Sequence, residues 1–329
     1  MSSHLTVRAL QPGEERAWQQ FLHESSNATL FHDLDFLAYH PPGRFRFHHL
    51  VACEQQRIRA LLPGGLVDGP TGTVWRSPIG ASIGGPVLGR RAGLDDTLAI
   101  VDALQHHARA SNWMSIELTL PPVVYHPAIG DQIGFALFTR GFREQHRWFS
   151  PMIDLSLASP GSSVAEALFE KRQIHALRSA LRDGAVAEEG GVECLDHFAP
   201  LFEATYARLG ARPTHTVDEV RDLLQRVPDR VRLVLARSDG AISAAVLLMQ
   251  LTREVASTFY ICRSPEHHDS AGSIVAIAVL ADTLRARGSR WLDLGPSASD
   301  ETRNAGVLFF KEGLGGVGYC RSQWSWTPE

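Results

Sequence analysis

Glu254-Val255-Ala256-Ser257-Thr258-Phe259-Tyr260-Ile261-Cys262 and Arg290-Trp291-Leu292-Asp293-Leu294-Gly295 are two strand-like runs, and the segment between them, Ser270–Arg287, has the period of a helix. Ile274, Ile277, Ala278, Ala281 and Leu284 fall on one face of that helix. Ser264-Pro265 closes the first strand, Asp269 or Ser270 is placed to cap the helix, and Gly288 stops it. Strand, helix, strand is a βαβ unit, which needs a right-handed crossover and leaves its two strands parallel. Upstream, Arg230–Arg237 and Ala241–Leu251 are joined through Ser238-Asp239-Gly240, and Thr252-Arg253 turns the chain into the 254–262 run. An antiparallel meander therefore feeds the βαβ unit, and the sheet is mixed. Downstream, Leu308-Phe309-Phe310-Lys311-Glu312-Gly313-Leu314-Gly315-Gly316 sets a lone lysine in an aromatic and glycine run.

Working outward, helices are expected at Val164–Arg182, His197–Leu209 and Val217–Arg226. In the first half, a strand at Leu5–Leu10 precedes helices at Glu14–Ser25 and Asp33–Tyr39. A hairpin of Phe45–Cys53 and Arg57–Leu62 comes next, followed by the Gly-rich connection 76–86. Leu94–Ala110 (helix), Ser115–Leu120 (strand), Pro127–Thr139 (helix) and Trp148–Leu155 (strand) complete it. The two halves have nearly the same element order, which predicts a duplicated α/β fold with mixed sheets; no residue-level repeat accompanies it. Pro160-Gly161-Ser162-Ser163 reads as the linker between domains at 1–158 and 159–329.

A chain of 329 residues suits two domains. Its 44% hydrophobic and 21% charged content is ordinary for a globular protein, and a net charge of −4 argues against a strongly basic nucleic-acid binder. Cys53, Cys194, Cys262 and Cys320 show no zinc or disulfide spacing; Cys262 and Cys320, in strand-like runs, are expected to be buried. The start of the chain lacks a basic region followed by an apolar one, and no run approaches the ~20 apolar residues of a membrane span. A cytoplasmic location is expected. Adjacent histidines (His48-His49, His106-His107, His267-His268) point apart and have no acidic co-ligand pattern, so no metal is expected. No nucleophile elbow or Walker-type loop occurs, which leaves hydrolase and NTPase readings without support.

Three stretches in the second half carry a resemblance. Leu168-Phe169-Glu170-Lys171-Arg172-Gln173-Ile174-His175-Ala176-Leu177-Arg178 is similar to the Lys-x-Arg-x-x-Ile-Arg-Lys-Ala helix of the Fem-type aminoacyltransferases and their FemAB-like relatives. Gly288 to Asp293-Leu294-Gly295 resembles their Gly-x-x-x-x-Asp-Phe-Gly strand, and Phe310-Lys311-Glu312-Gly313-Leu314-Gly315 their Phe-Lys-x-x-Phe-Gly ending. In the first half, Ser77-Pro78 with Gly84-Gly85-Pro86 is like their Ser-x-Pro and Gly-Gly-Pro run. The resemblance implies two tandem GNAT-like domains and transfer of an acyl or aminoacyl group to an amine. GNAT domains that use acetyl-CoA carry Arg/Gln-x-x-Gly-x-Gly/Ala where this chain has His267-His268-Asp269-Ser270-Ala271-Gly272-Ser273, and an Asp there repels a pyrophosphate.

On this resemblance Lys311 is expected to stabilise the oxyanion, Asp293 to accept or orient the amine proton, and Tyr260 to protonate the leaving group. Lys171, Arg172 and Arg178 are expected to bind phosphates of the donor or acceptor. Each has a plainer alternative: a surface lysine, an exposed strand carboxylate, a core tyrosine, a solvated helix face. The function implied is an N-acyltransferase without metal or tightly bound cofactor, with aminoacyl-tRNA as donor. The amine acceptor would be a peptide, a cell-wall precursor or another natural product. Two alternatives stay open: a thioester donor (acyl-CoA or acyl-carrier protein), and a non-catalytic binding module of the same fold.

Overall fold

A computed structural model describes residues 5–266 and 271–328. The cap expected at Asp269 or Ser270 and the His267–Asp269 stretch lie outside the described residues. The chain forms two compact units, Met1–Trp148 with Cys320–Glu329, and Phe149–Tyr319. The break thus precedes the expected one at 158/159. Pro160–Ser163 is not a linker between units but the entry to the helix Val164–Leu168, whose first N–H is capped by Asp282 Oδ1 at 2.7 Å.

In the first unit, Leu5–Ala9, Leu50–Glu54, Arg57–Leu62 and Val87–Leu88 make a four-stranded antiparallel sheet. A second sheet orders the end of Val317–Trp326, then Ser115–Leu120, Thr73–Ser77, Gly65–Asp68 and Arg46–Phe47. The hairpin Gly65–Asp68/Thr73–Ser77 was not expected. Its glycines and Pro70 mask the strand pattern, although Trp75 at its centre is fully buried with Leu104, Ile116, Leu118 and Trp326. The helix Leu94–Ala110 closes this core through Ile100, Val101, Leu104 and Ala108.

The second unit is built on the expected meander and βαβ unit, with an edge strand, Val186–Gly190, that was not expected. Val186–Gly190, Val231–Ser238, Ala241–Gln250 and Val255–Arg263 pair antiparallel in that order, and Trp291–Asp293 joins Val255–Arg263 in parallel. Trp291–Asp293 has a second, antiparallel neighbour in Met152–Asp154. The crossover helix Gly272–Ala286 is apolar nearly all round because it is packed on both sides. One side meets the sheet, and the other meets Val164–Leu168 and the helix Lys171–Arg182. The helix Leu195–Leu209 covers the opposite sheet face through Phe198 and Phe202.

The long helix expected at Val164–Arg182 is two helices, interrupted where Phe169 turns into the core and Glu170 N donates to Gly313 O at 2.9 Å. Leu181, read as part of its apolar stripe, is exposed; the buried face uses Gln173 and Leu177. Cys262 is buried as expected, whereas Cys320 is exposed. Among the described residues no helix is long and apolar enough to cross a membrane.

Candidate active site

The parallel strands of the second unit pair over three rows only, Val255 with Trp291, Ala256 with Leu292 and Ser257 with Asp293. Beyond Asp293 one strand continues to Arg263, while the other turns away at Gly295. Two features reinforce this parting. Leu248 faces Thr258 but Leu247 faces Tyr260, so Phe259 is the extra residue of a β-bulge. Gly295 has φ +79°, the left-handed region that glycine enters without a Cβ clash.

Asp293 and Lys311 grip this turn from its two polar ends. Leu292 points into the core beneath the crossover helix. Alternation sends Asp293 to the other face, where it is fully buried rather than at an exposed strand position. Its Oδ1 accepts from Ser150 Oγ and from Gly295 N, both at 2.7 Å. Lys311 is buried too, on the helix Ala305–Gly313 that Asn304 caps by accepting from Val307 N at 3.1 Å. Its Nζ donates to Gly295 O at 2.9 Å and to Pro296 O at 3.4 Å. A buried carboxylate and a buried ammonium thus hold the N–H and the C=O of one residue with charge-assisted hydrogen bonds, as buried charges require. The helix then ends through Gly315, at φ +80°, with Leu314 N and Gly316 N donating to Lys311 O, each at 3.2 Å.

Tyr260 lies in a different environment, an aromatic cluster with Phe202 and Tyr206. Its hydroxyl sits 2.6 Å from Nδ1 of the buried His215. Burial raises its pKa, with the neighbouring Tyr206 adding to the shift, so the phenol stays protonated and able to donate at neutral pH. Lys171, Arg172 and Arg178 are all exposed. The Arg172 guanidinium lies 4.2 Å from the ring centre of Phe309, which brings it onto the helix that carries Lys311. Arg178 instead pairs with Glu166, at 2.5 and 3.0 Å, and lowers the pKa of that carboxyl. Among the described residues no group of three or more His, Cys, Asp or Glu side chains is placed to hold a metal.

Sequence reasoning missed Ser150 and His215. Ser150 has no local signature; it reaches Asp293 only because Arg143–Asp154 pairs with Trp291–Asp293. His215 precedes Thr216, the N-cap of the helix Val217–Arg226, and only that signal marked its neighbourhood.

Residues 170–303 match the family of acetyltransferase (GNAT) domains. The whole chain is similar in structure to FemX, at 13% identity and a TM-score of 0.74, covering 98% of this chain and 97% of that one. It is also similar to L-PGS from Bacillus licheniformis, at 13% identity and a TM-score of 0.61, covering 95% and 91%. A tandem GNAT protein from the clavulanic acid biosynthesis pathway aligns over 99% of this chain and 100% of its own, at 14% identity and a TM-score of 0.56. Comparison with curated protein sequences gives no match. Residues 170–303 thus match a GNAT domain, and the whole chain has the fold of these solved structures. Over nearly its whole length the chain shares the fold of FemX.

Proposed function

We propose that the protein is an aminoacyltransferase: it moves an aminoacyl group from a charged tRNA onto an amine of a peptide, a cell-wall precursor or another natural product. The amine nitrogen attacks the ester carbonyl directly, the C–N bond forms as the ester C–O bond breaks, and the amine proton passes to the released ribose hydroxyl. The observation that carries this reading is the convergence on Gly295, where the parallel strands part, of Asp293, inside the segment that matches a GNAT domain, and Lys311, just beyond that segment. The opening exposes backbone where a donor's carbonyl can lie, and a fixed cation beside it favours developing negative charge. Since Lys311 Nζ is held by two carbonyls and Asp293 Oδ1 by two donors, their part is to position the turn and set its field. Tyr260, protonated and aligned by His215, relays the amine proton: its hydroxyl protonates the leaving oxygen and the proton from the amine restores the phenol. Arg172 offers an exposed cation for a donor phosphate. The likeness to FemX over nearly the whole chain favours the aminoacyl donor.

The test is a thermal-shift and mass-spectrometric screen of the purified protein against acetyl-CoA, long-chain acyl-CoA and a mixture of charged tRNAs. A ligand that binds only the folded form raises the melting temperature by mass action. Deacylation of one charged tRNA upon adding amines, with no response to CoA esters, is expected. Stabilisation by a CoA ester, with acyl transfer from it, would move the protein to the thioester donors; silence throughout would leave a binding module.

A further inference from the structure

Successive side chains of a strand take opposite faces, but the bulge at Phe259 turns two consecutive rings toward one partner. His215 meets Phe259 edge-on with ring centres 5.2 Å apart, and Tyr260 with centres 5.7 Å apart. Phe259 and Tyr260 pack against each other at 4.9 Å, and Phe202 and Tyr206, on the helix Leu195–Leu209, lie 4.8 and 5.8 Å from Tyr260. The cluster sits at the parting of the parallel strands, because Ser257, two residues before Phe259, is the last residue paired with Trp291–Asp293. It also shares a sheet face with Asp293. Leu248 and Leu292 point into the core beneath the crossover helix, so Leu247 and Asp293 take the other face, and Tyr260 takes it with Leu247, its cross-strand partner.

Phe202, Tyr260 and His215 are buried, whereas Tyr206 and Phe259 are half-buried and carry the ring surface that the cluster leaves open. That surface is uncharged. Burial raises the pKa of Tyr206, with Cys262 adding to the shift, as it does that of Tyr260, so both phenols keep their protons at neutral pH. Burial also holds the Cys262 thiol up at about 12. Glu203 and Arg208, on the helix that carries Tyr206, are exposed; Arg208 acts on Cys262, and among the described residues no acid or base acts on either phenol. A charged group laid on this surface would lose water without a counter-ion at either phenol, while an apolar group gains by covering aromatic carbon.

We propose that Tyr206 and Phe259 select the acyl group that is transferred, receiving an uncharged apolar side chain, aliphatic or aromatic, and refusing acidic and basic ones. With the donor's carbonyl at the strand parting, the reading on which this rests, an acyl side chain directed to the face of Asp293 comes to lie against these two rings. The same selection holds for an ester and for a thioester donor, since the linkage lies on the other side of the carbonyl.

The test uses full-length protein labelled with 13C in its tyrosine rings, with the Tyr206 and Tyr260 signals assigned through Tyr206→Phe and Tyr260→Phe. Leucinamide, aspartic acid α-amide and lysinamide are added in turn; all three carry the same α-amine and differ in the side chain. Leucinamide should shift both signals saturably, with a Kd on the order of millimolar for so small a ligand, and leave Tyr39 and Tyr125 of the first unit in place. The aspartic acid and lysine amides at equal concentration should not. Phe259→Asp should reverse the order, with lysinamide binding more tightly than leucinamide. Should that variant fail to fold, Tyr206→Lys should weaken leucinamide about tenfold, read at Tyr260. No saturable shift with leucinamide, equal shifts with the charged amides, or unchanged binding in the folded variants overturns the proposal. Since these probes contain neither tRNA nor CoA, that failure is separate from a failure of the donor screen.

Discussion

Replacing Lys311 by methionine removes the ammonium that holds Gly295 and Pro296 while keeping an unbranched side chain to fill its space. Hydrogen bonds from a charged donor contribute about 1.5–3 kcal/mol each, and the one at 3.4 Å is near the limit of useful length. The loss should therefore be about 2–4 kcal/mol. In a unit the size of Phe149–Tyr319 that corresponds to a fall in melting temperature of roughly 4–16 °C. Thermal unfolding followed by circular dichroism measures it, with Glu312→Gln, an exposed neighbour on the same helix, as control; that change should stay within about 0.5 kcal/mol. Below the variant's melting temperature, single-turnover amide formation from the donor identified in the screen should drop at least a hundredfold, because the turn and its local field are both disturbed. Lys311→Arg should not restore the rate, since a planar fork cannot take the place of a compact ammonium against two adjacent carbonyls. A Lys311→Met protein that melts within about 1 °C of the wild type and transfers at its rate would refute the reasoning outright. A lowered melting temperature with unchanged transfer would leave Lys311 a purely structural anchor.

Asp293→Asn should be milder than Asp293→Ala, because an amide oxygen can still accept from Ser150 and Gly295. The alanine variant leaves two buried donors unpaired and should lose about 2–5 kcal/mol in a denaturant titration. Gly315→Ala should cost roughly 1–3 kcal/mol by the same titration, since the new Cβ adds left-handed strain and meets Leu168 O at 2.7 Å. His32 and His126 should remain neutral on acidification until about pH 3 and 4, while an exposed histidine titrates near 6.5. Their folded pKa values lie below the unfolded ones, so between those limits the unfolded chain binds more protons. Stability should thus fall as the pH drops from about 6.5 toward 4. A proton NMR titration of the ring signals checks this, and a midpoint for His32 near 6.5 would contradict it.

The order of elements around the βαβ unit was legible because local periodicity carries it. Apolar residues at helical spacing between two β-rich runs mark a crossover, and Gly288 marks where its helix stops. The resemblance drawn from three short motifs led to Asp293 and Lys311, and the structure brings both to one turn. Their surroundings were not legible. Asp293 looked like an exposed strand residue because alternation says which face a side chain takes, but not whether that face is covered. It is covered because Trp291–Asp293 has a strand on each side, one of them bringing Ser150 from more than a hundred residues upstream.

The same reason explains the other departures. The hairpin at 65–77 hides behind its glycines, and Cys320 is exposed on a strand whose remaining residues include the buried Trp326. Trp326 finds its core with Ile116 and Leu118, because the last ten residues fold with the first unit. By itself the sequence determined the helices and strands around the βαβ unit and the order in which they follow, since these depend on neighbours a few residues away. Only the tertiary structure decided which polar groups are buried, which of them meet, and that the buried rings of His32 and His126 line one pocket. Those outcomes depend on pairings between distant parts of the chain, for which local periodicity carries no signal.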